Sequence, residues 1–198
     1  MRYFILFISF ISLSASLFGQ LPIHLPLIDG SPKSDTAPPN WTKIGDSPDL
    51  IKGNGEWPGG SYTMENIDGG TLNGESMGLF LCNKNDKPEG WSTTLKGLEI
   101  DKKYAFSLSW QQCVLTNFSS VTYSGGDLAV IVNGKEFVYS SDNGVKDKWQ
   151  NITVEFTAAS KEVTVELLIK QRSDFDQSLY GSAIVVDNVV AIPPASPY

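Results

Sequence analysis

The side chains able to do chemistry are few and scattered, and their types favour recognition over bond-breaking. The one histidine, His24, lies in a proline-rich stretch. A Ser-His-Asp or Cys-His arrangement therefore has no well-placed base, and a histidine-based metal site has no second ligand of its kind. Carboxylates are plentiful, among them Glu56, Glu65, Asp68, Glu75 and Asp127, yet no two stand out as the pair a glycosidase needs across a cleft. Beyond residue 20 there is one arginine, Arg172, beside Gln171 and Ser173-Asp174. Its planar guanidinium can fork onto two hydroxyls or a uronate carboxylate. The plainer expectation is a surface ion pair with Asp174 or Asp176. A lone arginine is thin support for a polysaccharide lyase.

Aromatic rings are the other candidates, because the apolar face of a sugar stacks on a ring while its hydroxyls take hydrogen bonds. Five tryptophans occur. Trp57 sits in a glycine-rich loop, Gly53-Asn54-Gly55-Glu56-Trp57-Pro58-Gly59-Gly60, whose nearest aromatic is Tyr62. A loop tryptophan so flanked has little to do unless it covers something. Trp91, Tyr123 and Tyr180 are weaker candidates of the same kind. Trp110 falls on an apolar strand face and belongs to a core, and Trp41 and Trp149 are expected in core or rim. Asp187 interrupts the apolar run 183–192, where an ionised carboxylate is costly unless it is paired, bound to a cation or capping backbone amides.

The elements that must hold these residues are strands. In residues 104–112, Tyr104, Phe106, Leu108 and Trp110 share one face, and Ser107, Ser109 and Gln111 the other. Neutral hydroxyls and an amide on a sheet face suit sugar hydroxyls, unless a loop covers that face. Asn133-Gly134 between the apolar runs 128–132 and 135–139 predicts a hairpin with a two-residue turn. Residues 77–82, 91–95, 151–156, 163–169 and 183–192 read as further strands. Nine or ten strands without a helical pattern predict an all-β fold, an antiparallel β-sandwich of the jelly-roll kind, with an up-and-down barrel as the alternative.

The first 20 residues carry a charged start, an apolar middle and small residues at the exit, the layout of a secretory signal peptide with cleavage near Gly19–Gln20 or after Ala15. The apolar run is too short and too serine-broken for a good membrane span. Export leaves 14 Lys and Arg against 22 Asp and Glu, a net charge of −8. That charge, with scattered lysines, argues against nucleic acid and against an anionic membrane surface. Cys82 and Cys113 can pair in an oxidising compartment or lie as buried thiols. The expected organisation is signal peptide 1–19, extended lead-in 20–40, sandwich 41–192 and tail 193–198.

Four motifs, in order, resemble the secreted jelly-roll modules of the galactose-binding-like superfamily, which includes many carbohydrate-binding modules. They are Pro39-Asn40-Trp41 with Gly45-Asp46-Ser47-Pro48-Asp49; Trp91-Ser92-Thr93-Thr94-Leu95 with Leu98-Glu99 and 103–108; Trp149 with 154–158; and Val186-Asp187-Asn188-Val189. The exit sequence is similar to exported proteins of Bacteroidetes-type bacteria. The resemblance implies a structural calcium joining Asp187 to the first strand, where Asp29 is the candidate partner; the glutamate usual at that early position is not evident. It also implies sugar binding, adhesion or a structural role. The expectation is a non-catalytic module in the periplasm, on the cell surface or secreted. It would bind a polysaccharide or other glycan through Trp57, Tyr62, Trp91, Gln111, Tyr123 and Arg172. A structural or adhesive protein binding another surface protein is the second possibility, and a small lyase or glycosidase the third.

Overall fold

A computed structural model describes residues 21–55, 62–65, 70–83, 87–117, 121–140, 148–172, 176 and 178–188. Among these, every helix or strand assigned is a strand, and the molecule is an antiparallel jelly-roll sandwich. The smaller sheet has five strands in the order β11 (Lys135–Tyr139), β10 (Asp127–Val132), β13 (Glu162–Lys170), β6 (Gly90–Lys96) and β2 (Thr42–Ile44). The body of the larger, nine-stranded sheet runs β12 (Gln150–Thr157), β7 (Lys103–Gln112), β14 (Gly181–Asp187), β5 (Ser76–Asn83) and β3 (Asp49–Lys52). β1 (Leu21–Pro22) pairs parallel to the start of β7. A ribbon of β4 (Tyr62–Glu65), β8 (Val114–Asn117) and β9 (Thr122–Ser124) joins the sheet through β9 and β14.

The alternation read in the sequence decides which face each strand buries. Tyr104, Phe106, Leu108 and Trp110 of β7 point into the main core between the sheets, with Leu128, Val130 and Val132 of β10 and Val163, Val165, Leu167 and Ile169 of β13. The Asn133-Gly134 turn has positive φ at both residues, 49° and 81°, as a primed two-residue hairpin requires. The lead-in is extended and packed: Leu25 and Ile28 are buried, and Lys33 bridges to Leu50.

Single-face alternation fails at β5 and β14, which are buried on both sides. Ile184 and Val186 face the main core, while Ala183 and Val185 face a second core with Met77, Leu79, Leu81, Ile51, Leu115 and Tyr123. The β4–β8–β9 ribbon covers that second core, so this part of the molecule has three layers. The nearly continuous β-branched run from 183 is the sequence trace of double burial.

The expected Cys82–Cys113 disulfide is corrected to two buried thiols. Cys82 of β5 pairs with Ser182, and the Cys113 N–H donates to Ala183 O on the opposite edge of β14. With a strand between them the backbones lie roughly two strand spacings, ~10 Å, apart, beyond the ~7 Å limit for bridging. The two sulfurs also belong to different cores.

Candidate functional site

Trp57 lies outside the described residues. Tyr62 is described only by its backbone, which pairs β4 with Asn117 of β8. Of the other expected ligand contacts, Trp91 and Tyr123 are corrected to core residues, and Gln111 is buried. Trp91 is fully buried, edge-on to Phe80 at 4.9 Å, with its indole N–H donated to Thr36 O at 2.8 Å. Tyr123 is buried in the second core, and the exposed ring of Tyr180 meets it edge-on at 5.3 Å. Gln111 is on the face predicted for it but has no solvent exposure. Arg172 lies 3.7 Å from Asp127, at the start of β10, and Asp174 lies outside the described residues. Both partners are largely covered, so this ion pair ties the end of β13 to β10. Trp110 and Trp41 are core residues, and Trp149 is a half-buried rim to the second core.

Asp29 and Asp187 do converge, on one segment of backbone. Asp187 Oδ2 accepts the N–H groups of Leu72 and Asn73 at 2.7 and 3.1 Å, and its Oδ1 accepts that of Asn188 at 2.7 Å. Asp29 Oδ1 accepts those of Glu75 and Ser76 at 3.0 and 3.2 Å. Gly74, at φ 76°, passes so close that a Cβ there would lie 2.4 Å from Asp29 Cγ. Calcium requires carboxylate and carbonyl oxygens with lone pairs free. Here amide hydrogens point at three of the four carboxylate oxygens, so the arrangement fits a backbone clamp rather than a cation. Burial pushes the Asp187 carboxyl up to about 6, opposed by its three N–H donors and reinforced by the charge of Asp29.

A second buried acidic pair was not evident in the sequence. Asp49, at the start of β3, accepts the Asp35 N–H at 2.8 Å, and burial pushes it up to about 7, with the Glu89 charge adding to the shift. Glu89 accepts the Ser47 hydroxyl at 2.7 Å and the Leu81 N–H at 2.9 Å, and burial raises its carboxyl too. Both acids close loops onto the edge of β5. Their only trace in the sequence is an acid beside an apolar run, which is also how a solvated loop reads.

Two polar surfaces stay open. One, among the described residues, is the outer face of β12 with the first half of β7: Asn151, Thr153 and Glu155 are exposed and Ser107 half-buried, whereas Ser109 and Gln111 farther along β7 have no exposure. Ser107 and Thr153 hydroxyls meet across it at 3.0 Å, and the Ser109 hydroxyl donates to Asn151 Oδ1. Glu155 lies opposite Ala105 farther along, and Asp187 lies opposite Ser109 on the other flank. The β12 half of this strip is legible in the alternation of Asn151, Thr153 and Glu155 with Ile152, Val154 and Phe156. The other is a groove of about 600 Å³ on the smaller sheet, lined by Pro26, Asn40, Thr42, Ser92, Thr93, Thr94 and Lys96. Hydroxyl and amide groups on either surface, with one ammonium group in the groove, can hydrogen-bond a neutral polyol.

No protein-family model matches the sequence, and no curated protein sequence matches it. Among solved structures the chain is similar to the C-terminal domain of EclA, a sugar-binding protein (13% identity, TM-score 0.33, 49% of this chain and 61% of that one). It is similar to an arabinose-bound α-L-arabinofuranosidase, MgGH51 (16%, TM-score 0.47, 80% and 24%). It is also similar to a family 35 carbohydrate-binding module from an environmental isolate (13%, TM-score 0.34, 72% and 98%). The chain thus spans less than two thirds of the first two. Every one of these TM-scores is below 0.5.

Proposed function

We propose that the chain is an exported, non-catalytic carbohydrate-binding β-sandwich that takes its glycan along the polar strip of β7 and β12. One observation carries this reading: Asn151 and Thr153 are exposed and Ser107 half-buried on the outer face, and their hydroxyl and amide groups are paired across a rigid sheet, Asn151 to the buried Ser109 and Thr153 to Ser107. Such groups exchange water for sugar hydroxyls without burying a charge. The non-catalytic reading is supported by the strip's acids. Glu155 is solvent-exposed, and Asp187 is occupied by backbone amides, so the two do not make an acid and nucleophile across a cleft.

The test is retention on a panel of soluble and insoluble polysaccharides, beside an Asn151→Ala/Thr153→Ala variant. Binding to one glycan class, weakened at least tenfold in the variant, supports the reading. Binding that survives in the variant and is lost on Thr94→Ala/Lys96→Ala moves the site to the groove of the smaller sheet. No retention on any glycan by a folded protein overturns the reading in favour of a surface protein that binds another protein.

A further inference from the structure

Gln111 of the larger sheet carries a buried amide with both polar atoms unpartnered: it has no solvent exposure, and neither its Oε1 nor its Nε2 has a hydrogen-bond partner. A buried amide group left unsatisfied is destabilising, and a leucine of nearly the same volume would avoid that cost. Such a group is kept in a packed interior when something else needs it.

Its surroundings say what that is. Gln111 lies two residues beyond Ser109 on the face of the polar strip, opposite Val185 of β14. Trp149 immediately precedes β12, whose first residue pairs with Trp110, the neighbour of Gln111. The Trp149 indole N–H donates to Gly70 O at 3.1 Å. Three residues on, Asn73 has a buried Nδ2 that also has no partner, and its N–H is held by Asp187. The register thus brings Trp149 next to Gln111, and the Trp149–Gly70 and Asn73–Asp187 bonds tie residues 70–73 to the same end of the strip.

Trp149 packs against the second core, whereas residues 70–75 bury no side chain of their own, and Leu72 is 41% exposed. The attachments of this segment include the N–H bonds to Asp187 and Asp29, the Gly53 N–H donated to Glu75 O at 3.0 Å, the Trp149–Gly70 bond and the Ser76 hydroxyl to Gly30 O at 2.7 Å. A segment without apolar anchors opens at a small fraction of the global unfolding free energy.

We infer that Gln111 and Asn73 form a roofed hydrogen-bonding subsite at the end of the polar strip, which receives one hydroxyl-bearing ring of a glycan when the segment 70–75 lifts. The inference rests on the carbohydrate reading of the strip. A primary amide offers two donors and one acceptor and so matches a pair of adjacent sugar hydroxyls. Trp149, released from Gly70, offers a ring face beside them. Ligand binding here recovers the hydrogen bonds that the empty fold forgoes, so stability and binding oppose one another at this position.

The experiment follows the side-chain NH₂ resonances of Gln111, Asn73 and Asn151 in the nitrogen-15-labelled protein. Each is assigned by its disappearance in Gln111→Leu, Asn73→Ala or Asn151→Ala. The probes are the methyl glycosides of glucose, galactose, mannose, xylose and arabinose. The expected result is a saturable shift of the Gln111 and Asn73 signals with at least one probe. Gln111→Leu is then expected to melt higher than the parent and to bind that sugar at least tenfold more weakly. If Asn151 shifts while Gln111 and Asn73 stay unmoved by every probe, the strip binds sugar and the subsite is overturned. If Gln111→Leu melts higher and binds unchanged, the amide has no part in recognition and the inference fails. If none of the three signals moves, the carbohydrate reading and the subsite fall together.

Discussion

Asp187 and Asp29, 158 positions apart in the chain, hold consecutive stretches of the same segment, Asp187 the N–H groups of residues 72 and 73 and Asp29 those of 75 and 76. One carboxylate closes the last strand of the larger sheet and the other lies at the entry of the chain into the sandwich. Charge-assisted bonds to backbone are the stronger kind, and they stand in for apolar packing.

Asp187→Asn is expected to lower stability by about 1–2 kcal/mol at pH 8, since its amide group can accept at only one atom where the carboxylate accepted at two. Calcium or a chelator is expected to leave the parent melting temperature unchanged, because amide hydrogens point at the oxygens a cation needs. Thermal melts of both proteins with and without the metal test this. A calcium-dependent rise in the parent would show that the clamp reorganises around a cation.

Asp49 makes stability depend on pH. Its folded value of about 7 lies above the ordinary 3.8, so the fold favours the protonated form. The stabilisation is fully present below about pH 4 and is lost as pH rises through about 7. Asp187, raised to about 6, adds a loss of the same sign over a lower window. Urea unfolding midpoints from pH 4 to pH 8 are expected to fall, and Asp49→Asn is expected to flatten the upper part of that decline. An unchanged slope in the variant would refute the assignment.

Gly78 gives Trp91 its room. A Cβ at that position would lie 2.6 Å from the indole Cζ3 and 2.8 Å from Val186 Cγ2. Gly78→Ala is therefore expected to destabilise by about 1–3 kcal/mol through overpacking. A red-shifted tryptophan emission should accompany the lower urea midpoint if the indole is pushed from its core site. A variant as stable as the parent, with unchanged emission, would show that the core yields without cost.

The two thiols provide a chemical check. Cys82 and Cys113 are expected to react with a thiol reagent once the protein is denatured, with no reductant added, and to give two equivalents per chain. Reductant should leave the melting temperature of the folded protein unchanged. Fewer than two equivalents would mean that the sulfurs cross-link.

How far the sequence carried depended on how many faces a strand buries. β7 and β12 each show one apolar and one polar face, so the main core, the hairpin at Asn133-Gly134 and the hydroxyl strip were all legible. Trp91 and Tyr123 were read as ring platforms because their neighbours are Ser, Thr and Gly; those neighbours are the outward positions of the same strands. Gln111 was placed on the correct face, but the layer that buries it comes from residues remote in sequence, and no local pattern announces such a layer. Asp187 was legible as an anomaly, and its cost is met by backbone donors that leave no side-chain signature.

β14 lies between β5 and β7 and contributes to both cores, yet it is the last strand the ribosome makes among those described here. Until residues 181–187 emerge, β5 and β7 have no shared partner and neither core can close. A nascent chain is thus held open for nearly its whole described length and then completes in one late, long-range step, which contact-order arguments predict to be slow. A stop codon between the end of β13 and residue 181 would leave the β5–β3 and β12–β7 parts of the larger sheet unjoined, with exposed apolar faces, material for proteolysis or aggregation rather than a smaller working domain.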